Sequence, residues 1–196
     1  VHLDPAILDT FRGLLAEAGA SGEPEPTAMV VSTAGADGRI SSRAVLLKDV
    51  DERGFVFYTN TQSHKGTQLA EHPRAALLFL WKSLRNQVQV RVEGAVEPVD
   101  AAEADAYFAS RARESQVGAW ASDQSRPLQS RAQLEARIAE FEQRFAGGAV
   151  PRPPHWSGYR VRPDAVEFWY GVAHRLHERH QYRFVDGGWR HGLLYP

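Results

Sequence analysis

Apolar positions along this chain recur with two rhythms. Ile7, Leu8, Phe11, Leu14 and Leu15 follow helical spacing, and Asp4-Pro5 in front of them offers an N-cap and a first-turn proline. A helix is therefore expected over about 5–18, ended by the two prolines of residues 21–26. From Ala28 the rhythm becomes that of strands. Apolar, β-branched or aromatic runs cover 28–34, 40–50, 55–60, 74–81 and 87–99, with turn residues at 36–38 and 51–54. A short helix over 63–71, stopped by Pro73, interrupts them. Two more helices are expected over 100–110 and 130–145, the second placing Leu134, Ile138, Phe141 and Phe145 on one face. Strands return over 158–161, 165–170 and 181–185, and a turn at 186–188 leads into the last segment. The pattern predicts an α+β fold: a mostly antiparallel barrel with helices packed outside it. One domain is expected over 1–196, with helix 5–18 at its start and a helical insertion over about 100–146.

Composition narrows the partners. The chain has 196 residues, 43% of them hydrophobic, enough for one real core. Its formal net charge of −1 argues against nucleic acid as a partner and makes the charge of any site a local matter. With no cysteine, disulfides, thiolate chemistry and cysteine-ligated metals are excluded. No apolar run approaches the roughly 20 residues that span a bilayer. The first 20 residues form an amphipathic pattern with acidic residues, unlike a signal peptide, so a cytoplasmic protein is expected. The first residue is Val, so a trimmed N-terminus is expected too.

Three stretches could carry chemistry. In HRLHER (174–179), an extended backbone would put Arg175, His177 and Arg179 on one face, where they need an anionic or electron-rich partner. Taken alone, a solvated edge strand whose charges oppose aggregation explains it better. In SRAVLLK (42–48), Arg43 and Lys48 bracket an apolar strand. Five residues apart, they face opposite ways unless a bulge brings them together, and ordinary strand-end charge is the simpler account. In YFASRARESQ (107–116), Tyr107, Arg111, Arg113 and Ser115 sit just past a helix and suit a phosphate dianion, although basic residues at a helix C-terminus are common. Gln124-Ser125 adds polar groups of no particular meaning by themselves. Among the eight histidines, no spacing suits a metal, and P-loop, Rossmann and serine-hydrolase signatures are absent.

The order of motifs along the chain resembles the pyridoxine/pyridoxamine 5'-phosphate oxidases. TAMVVSTAGADGRISSRAVLLK, GFVFYTN, SHKG, QVRVEG, YFASRARESQVGAWASDQS, VPRPPHWSGYRV, EFWYG and RLHER follow in that family's order from Thr27 to Arg179. The resemblance implies an FMN-binding split barrel and a homodimer with FMN at the subunit interface. It implies oxidation of pyridoxamine or pyridoxine 5'-phosphate to pyridoxal 5'-phosphate: a hydride leaves the substrate's exocyclic carbon, and O2 is reduced to H2O2. FMN contacts are implied for Arg43, Ala44, Val45, Leu46, Leu47, Lys48, Tyr58, Thr59, His64, Lys65, Gln124, Ser125, Trp169 and Arg179. Gln89 joins them as the glutamine of the strand motif, with Gln87 as its rival. Lys48, Tyr107, Arg111 and Ser115 match the substrate-phosphate site. Arg175, Leu176 and His177 match the segment beside the substrate ring, with Arg175 and His177 nearest the chemistry. Two phosphates would explain why a near-neutral chain gathers so many cations in three motifs.

Three departures bear on this. His64 stands where many members have Arg, which points to a weaker or pH-dependent contact with the FMN phosphate. The chain starts close to its first helix, so the segment that covers the substrate in longer members is expected to be missing. The C-terminus reads Leu193-Leu194-Tyr195-Pro196 where many members have Arg before Leu-x-Pro. Two alternatives stay open: a related split-barrel flavin oxidase of the phenazine-biosynthesis type, and a non-catalytic carrier of FMN or pyridoxal phosphate. The set Lys48, Tyr107, Arg111 and Ser115 speaks against the first, Arg175 and His177 against the second.

Overall fold

In the computed structural model, which describes residues 2–196, Asp4 caps α1 (Pro5–Ala20) by accepting a hydrogen bond from the Ala6 amide at 2.8 Å. The spacing predicted this helix; it runs two residues further. Its apolar stripe enters the core, where the Phe11 ring meets Phe55 at 4.9 Å and Phe79 at 5.1 Å, both edge-on. Burying Phe11, Leu14 and Ile7 against the sheet ties the helix to the barrel, because a helix of this length is marginal alone.

Nine strands follow: β1 (Ala28–Ala34), β2 (Ile40–Leu46), β3 (Asp49–Asp51), β4 (Gly54–Asn60), β5 (Arg74–Trp81), β6 (Val88–Pro98), β7 (Trp156–Tyr170), β8 (Glu178–Val185) and β9 (Gly188–Leu193). They form one sheet: seven run in the order β2-β1-β5-β6-β7-β4-β3, β8 branches off β7, β9 pairs with β8, and every pairing is antiparallel. The long strand β7 organises it. Its first half pairs with β4, its second half with β8, and β6 runs along both. The curled sheet and outer helices bear out the expected class.

Strand boundaries differ from expectation: β8 begins at Glu178 and not at 181, the last segment is itself the strand β9, and two runs are divided differently. The run 40–50 is broken: β2 stops at Leu46, the buried Leu47 turns into the core, and pairing resumes in β3. The runs 158–161 and 165–170 are one strand: Glu93 pairs with Ala165 and Gly94 with Pro163, so Asp164 is the extra residue of a bulge in β7 and the ladder continues past it. The bulge needs Gly94: a Cβ there would lie 2.1 Å from the Arg162 carbonyl oxygen.

The helices are α2 (His64–Glu71), α3 (Ala101–Ser110), α4 (Arg113–Ala121) and α5 (Arg131–Arg144). Ser63, Asp100 and Ser130 cap α2, α3 and α5 through their side chains, as short polar residues before a helix should. The helix α4 was not expected. Its N-cap position is Ala112, which has no side-chain cap, so the local signal for a helix start is missing. The expected apolar face of α5 is present but only half-buried, with Ile138, Phe141 and Phe145 packed near Trp120.

HRLHER is not an extended strand. A 3-10 turn covers Ala173–Arg175, with His174 at φ 59° and Arg175 at φ 62°, and β8 starts only at Glu178. The physical reason is the reversal between β7 and β8. Register pairs Tyr170 with Glu178, so the intervening residues must turn the chain and cannot join a ladder. Arg175, His177 and Arg179 therefore do not share a strand face.

Candidate active site

A cleft of about 1080 Å³ opens between the β2–β4 side of the sheet and α2, α3 and α4. Its walls include Arg43, Ala44, Val45, Leu46 and Lys48 from the β2 end; Tyr58 and Thr59 from β4; His64 and Lys65 from α2; Tyr107, Arg111 and Ser115 from the α3–α4 corner; and Gln124 and Ser125 beyond α4. Among the described residues, no Asp or Glu lines it. Arg43 and Lys48 both reach it because the ladder breaks at Leu46, so the five-residue spacing no longer sets opposite faces. Leu47 is the exception in its segment: its side chain is in the core and it does not line the cleft.

One end of the cleft is built around two cations without carboxylate partners. Lys65, almost fully buried, donates through Nζ to Thr59 Oγ1 at 2.9 Å, Gln124 Oε1 at 2.8 Å and Ser63 Oγ at 3.2 Å. All three acceptors are neutral. Burial first, then the nearby Arg43 charge, pulls its pKa down from 10.5 to about 8. Arg43 donates to the Val31 carbonyl, Thr33 Oγ1, the Ser41 carbonyl and Ser41 Oγ. Gln68, buried on α2, accepts from Thr33 Oγ1 at 2.6 Å and Ser41 Oγ at 2.7 Å. Each hydroxyl has one proton, so both present lone pairs to Arg43. Gln68, Thr33 and Ser41 were missed in the sequence, where nothing distinguishes them from ordinary strand and helix polar residues.

The other end holds Arg111, the C-cap residue of α3. Its guanidinium carbon lies 4.7 Å from the Trp156 ring centroid and 5.6 Å from that of Phe108. Its buried Nη1 has no hydrogen-bond partner, and burial lowers its pKa. Tyr58, Tyr107 and Trp156 stack nearly parallel, Tyr58 to Tyr107 at 4.0 Å and Tyr58 to Trp156 at 5.3 Å. The Tyr58 phenol is pushed up to about 12, chiefly by burial and then by Glu103, so it stays a neutral donor. A buried ion pair anchors α3: Arg160 Nη2 donates to both carboxylate oxygens of Glu103, at 2.9 and 3.0 Å. Ser115 is on α4 beside Arg111, whereas Arg113 is occupied elsewhere, donating to the Phe145 and Gly148 carbonyls.

The remaining sequence candidates lie on a second surface. Gln89, Trp169 and Arg179 form a row across β6, β7 and β8 by register, and together they line a smaller hollow of about 220 Å³ with Arg91, Glu167 and Pro196. Gln87 is not part of it; it sits at φ 82° in the turn before β6, which favours Gln89 as the member of this group. Arg179 is held by Glu167 (Nε to Oε1 2.7 Å, Nη2 to Oε2 3.1 Å), which raises its pKa and leaves its charge paired. The His177 ring lies 4.4 Å from that of Trp169, and its Nδ1 accepts from the Val172 amide at 3.2 Å. That bond puts the proton of the neutral imidazole on Nε2. Arg175 and Leu176 are exposed in the adjoining turn, and neither lines the cleft or the hollow. The two surfaces share no lining residue.

Residues 15–145 match the family described as pyridoxamine 5'-phosphate oxidase. The chain belongs to that family. Residues 156–196, which carry β7 to β9 and the second surface, match the C-terminal dimerisation region of pyridoxine 5'-phosphate oxidase. A pyridoxine/pyridoxamine 5'-phosphate oxidase of Myxococcus xanthus (strain DK1622) is 59% identical over all 196 residues, covering 94% of that protein. One from Caulobacter vibrioides (strain NA1000 / CB15N) is 61% identical over 193 residues, 98% of this chain and 85% of that one. Among solved structures, PhzG from Burkholderia lata 383, in complex with tetrahydrophenazine-1-carboxylic acid, superposes with a TM-score of 0.91 at 33% identity over 99% of this chain and 98% of that one. A pyridoxamine 5'-phosphate oxidase-related, FMN binding protein from Nostoc punctiforme shares the fold, at TM-score 0.75 and 16% identity over 99% of this chain and 98% of that one.

Proposed function

We propose that this chain is an FMN-dependent oxidase that converts pyridoxamine or pyridoxine 5'-phosphate to pyridoxal 5'-phosphate, with O2 as acceptor and H2O2 as product. One observation carries the reading: a single cleft with no carboxylate among its described lining residues holds Arg43 with Lys65 and, apart from them, Arg111, whose buried donor has no partner, with Lys48 also on its wall. A buried donor left unpaired is costly, and a dianion is the ligand that relieves it most. Two such groups fit one phosphate on the cofactor and one on the substrate, and the family relatives at 59–61% identity bear that substrate's name.

FMN would be held by Arg43, Lys65, Thr59, Gln124 and Ser125. When bound, it supplies the two-electron chemistry, taking a hydride from the substrate and passing electrons to O2. The protein's own share is positioning. Lys48, Tyr107, Arg111 and Ser115 would hold the substrate phosphate. Arg175 and His177, with the His177 proton on Nε2, would face the substrate ring from the second surface. That surface belongs to the dimerisation region, so we take the enzyme to be a homodimer whose sites each join the cleft of one chain to the second surface of its partner. The outer face of the sheet supports this: register puts Val30, Ala44, Leu46, Leu78 and Leu80 on one side, and Val30, Leu46 and Leu80 are over a third exposed.

The test is oxygen consumption by FMN-reconstituted protein with pyridoxamine 5'-phosphate beside free pyridoxamine. The phosphorylated amine should be turned over, and kcat/KM for free pyridoxamine should be lower by about 100-fold or more, since several charge-assisted hydrogen bonds of about 1.5–3 kcal/mol each are lost. Equal turnover of the two amines would overturn the phosphate site. The close superposition on PhzG favours a second reading, oxidation of a phenazine precursor. Turnover of a tetrahydrophenazine carboxylic acid with none of pyridoxamine 5'-phosphate would select it.

A further inference from the structure

We propose that Trp156 is a positioning residue that sets the affinity for the phosphorylated substrate by holding Arg111, on whose assignment to the substrate phosphate this inference rests. Neither motif spacing nor cation inventory marked Trp156. It opens β7, is 6% exposed, and lies at the wall of the cleft.

Its position solves a physical problem. Arg111 closes α3 with an extended backbone, and no hydrogen bond or ion pair holds its side chain among the described residues. A long cation of that kind would ordinarily sample many rotamers and lose them only on binding, which weakens affinity. Here the guanidinium rests on the indole face at 4.7 Å, and indole is the ring on which a cation gains most. The same indole continues the Tyr58–Tyr107 stack, with Tyr107 parallel to it within 6° at 6.2 Å. One side chain thus fixes both a charged donor and a phenol donor of the same proposed phosphate site. A carboxylate partner for Arg111 would hold it equally well but would cancel the charge the phosphate needs, whereas the π face orients the cation and leaves its N–H groups free.

Trp156 is itself fixed from behind. Its backbone amide donates to the Pro153 carbonyl at 3.0 Å, its carbonyl accepts from Arg152 Nη1 at 2.7 Å, and Phe108 packs edge-on at 5.0 Å. The rigid prolines of 151–154 therefore deliver the indole to the cleft, which gives that connector a part in the site.

The experiment uses the FMN-loaded enzyme and four variants: Trp156→Phe, Trp156→Leu, Arg111→Ala, and Trp156→Phe combined with Arg111→Ala. Read-outs are KM and kcat for pyridoxamine 5'-phosphate, flavin content, and the dissociation constant of inorganic phosphate by calorimetry. Trp156→Leu should raise KM and the phosphate dissociation constant by about tenfold, with kcat within about twofold and flavin content unchanged. Trp156→Phe, which keeps a weaker ring, should raise both about threefold. In the Arg111→Ala background, Trp156→Phe should have no further effect, because the group it positions is gone. Should Trp156→Leu not fold, the Phe variant and this double-mutant comparison decide the matter. If Arg111→Ala raises KM while both Trp156 variants leave it unchanged, or if the Phe effect persists undiminished without Arg111, the inference is wrong and the phosphate site stands. If Arg111→Ala itself leaves KM unchanged, it is the phosphate-site reading that fails.

Discussion

At the residue scale, burying Lys65 without a carboxylate couples anion binding to a proton. Its pKa of about 8 means that the flavin-free protein loses the charge as pH rises above that value. The sign for stability is separate. The unfolded chain, near 10.5, binds more protons between about 8 and 10.5, so removing the buried charge makes the flavin-free fold more stable as pH rises through that window. For phosphate binding the sign is opposite, because only the ammonium form attracts the dianion. FMN affinity of the flavin-free protein should fall by about tenfold between pH 7 and pH 9, as one deprotonation near 8 requires. Riboflavin, which lacks the phosphate, should show little of this, and Lys65→Arg should flatten the FMN profile because guanidinium keeps its charge. Flavin fluorescence titrations at several pH values would check it; the same slope in Lys65→Arg would assign the effect to another group.

At the scale of elements, the cleft depends on how close α2 comes to the loop after β4. Gly66 sits in the first turn of α2, and a Cβ on it would meet the Thr61 carbonyl oxygen at 2.1 Å. That is backbone, which cannot swing aside. Gly66→Ala should therefore push α2 outward, lower stability by about 1–3 kcal/mol as overpacking does, and move Lys65 away from Thr59 and Gln124. Thermal melting and FMN binding should both suffer. A melting temperature and FMN affinity equal to wild type would show that the helix packs less tightly than described. In the sequence, SHKG was legible as a helix start because Ser63 is a strong N-cap, but the need for glycine at its fourth place was not. That need comes from Thr61, the residue after β4, whose amide and hydroxyl both donate to the His155 carbonyl, at 2.7 and 3.1 Å. The helix α4 was illegible for the converse reason: it is held by tertiary contacts, with Val117 and Gln116 buried, and has no local cap.

At the scale of the whole molecule, the separation of the cleft from the second surface makes a prediction about assembly. Arg111→Ala damages the cleft, and His177→Ala damages the second surface. If each site joins two chains, a hybrid dimer of these variants contains one site with both changes and one with neither. Random mixing makes about half the dimers hybrid, so about a quarter of the wild-type sites should return when the two weakly active proteins are unfolded and refolded together. Rates no higher than the average of the two parents would mean that each site lies within one chain.

Local pattern determined most of the elements here, because caps, prolines and alternating apolar residues act over a few residues. Asp4, Ser63, Asp100 and Ser130 each began the helix their side chains could cap. The order of motifs also sufficed to identify the family. Tertiary structure decided which of the candidate residues meet. It broke the ladder at Leu46 so that Arg43 and Lys48 share a cleft, sent Leu47 into the core, and spent HRLHER on a chain reversal that separates Arg175 from Arg179. It set Gln68 behind Arg43, Trp156 beneath Arg111 and Glu167 against Arg179. Those pairings join residues far apart in the chain. Spacing along a strand or helix carries no information about them, and only the closing of the sheet along β7 brings the partners within reach.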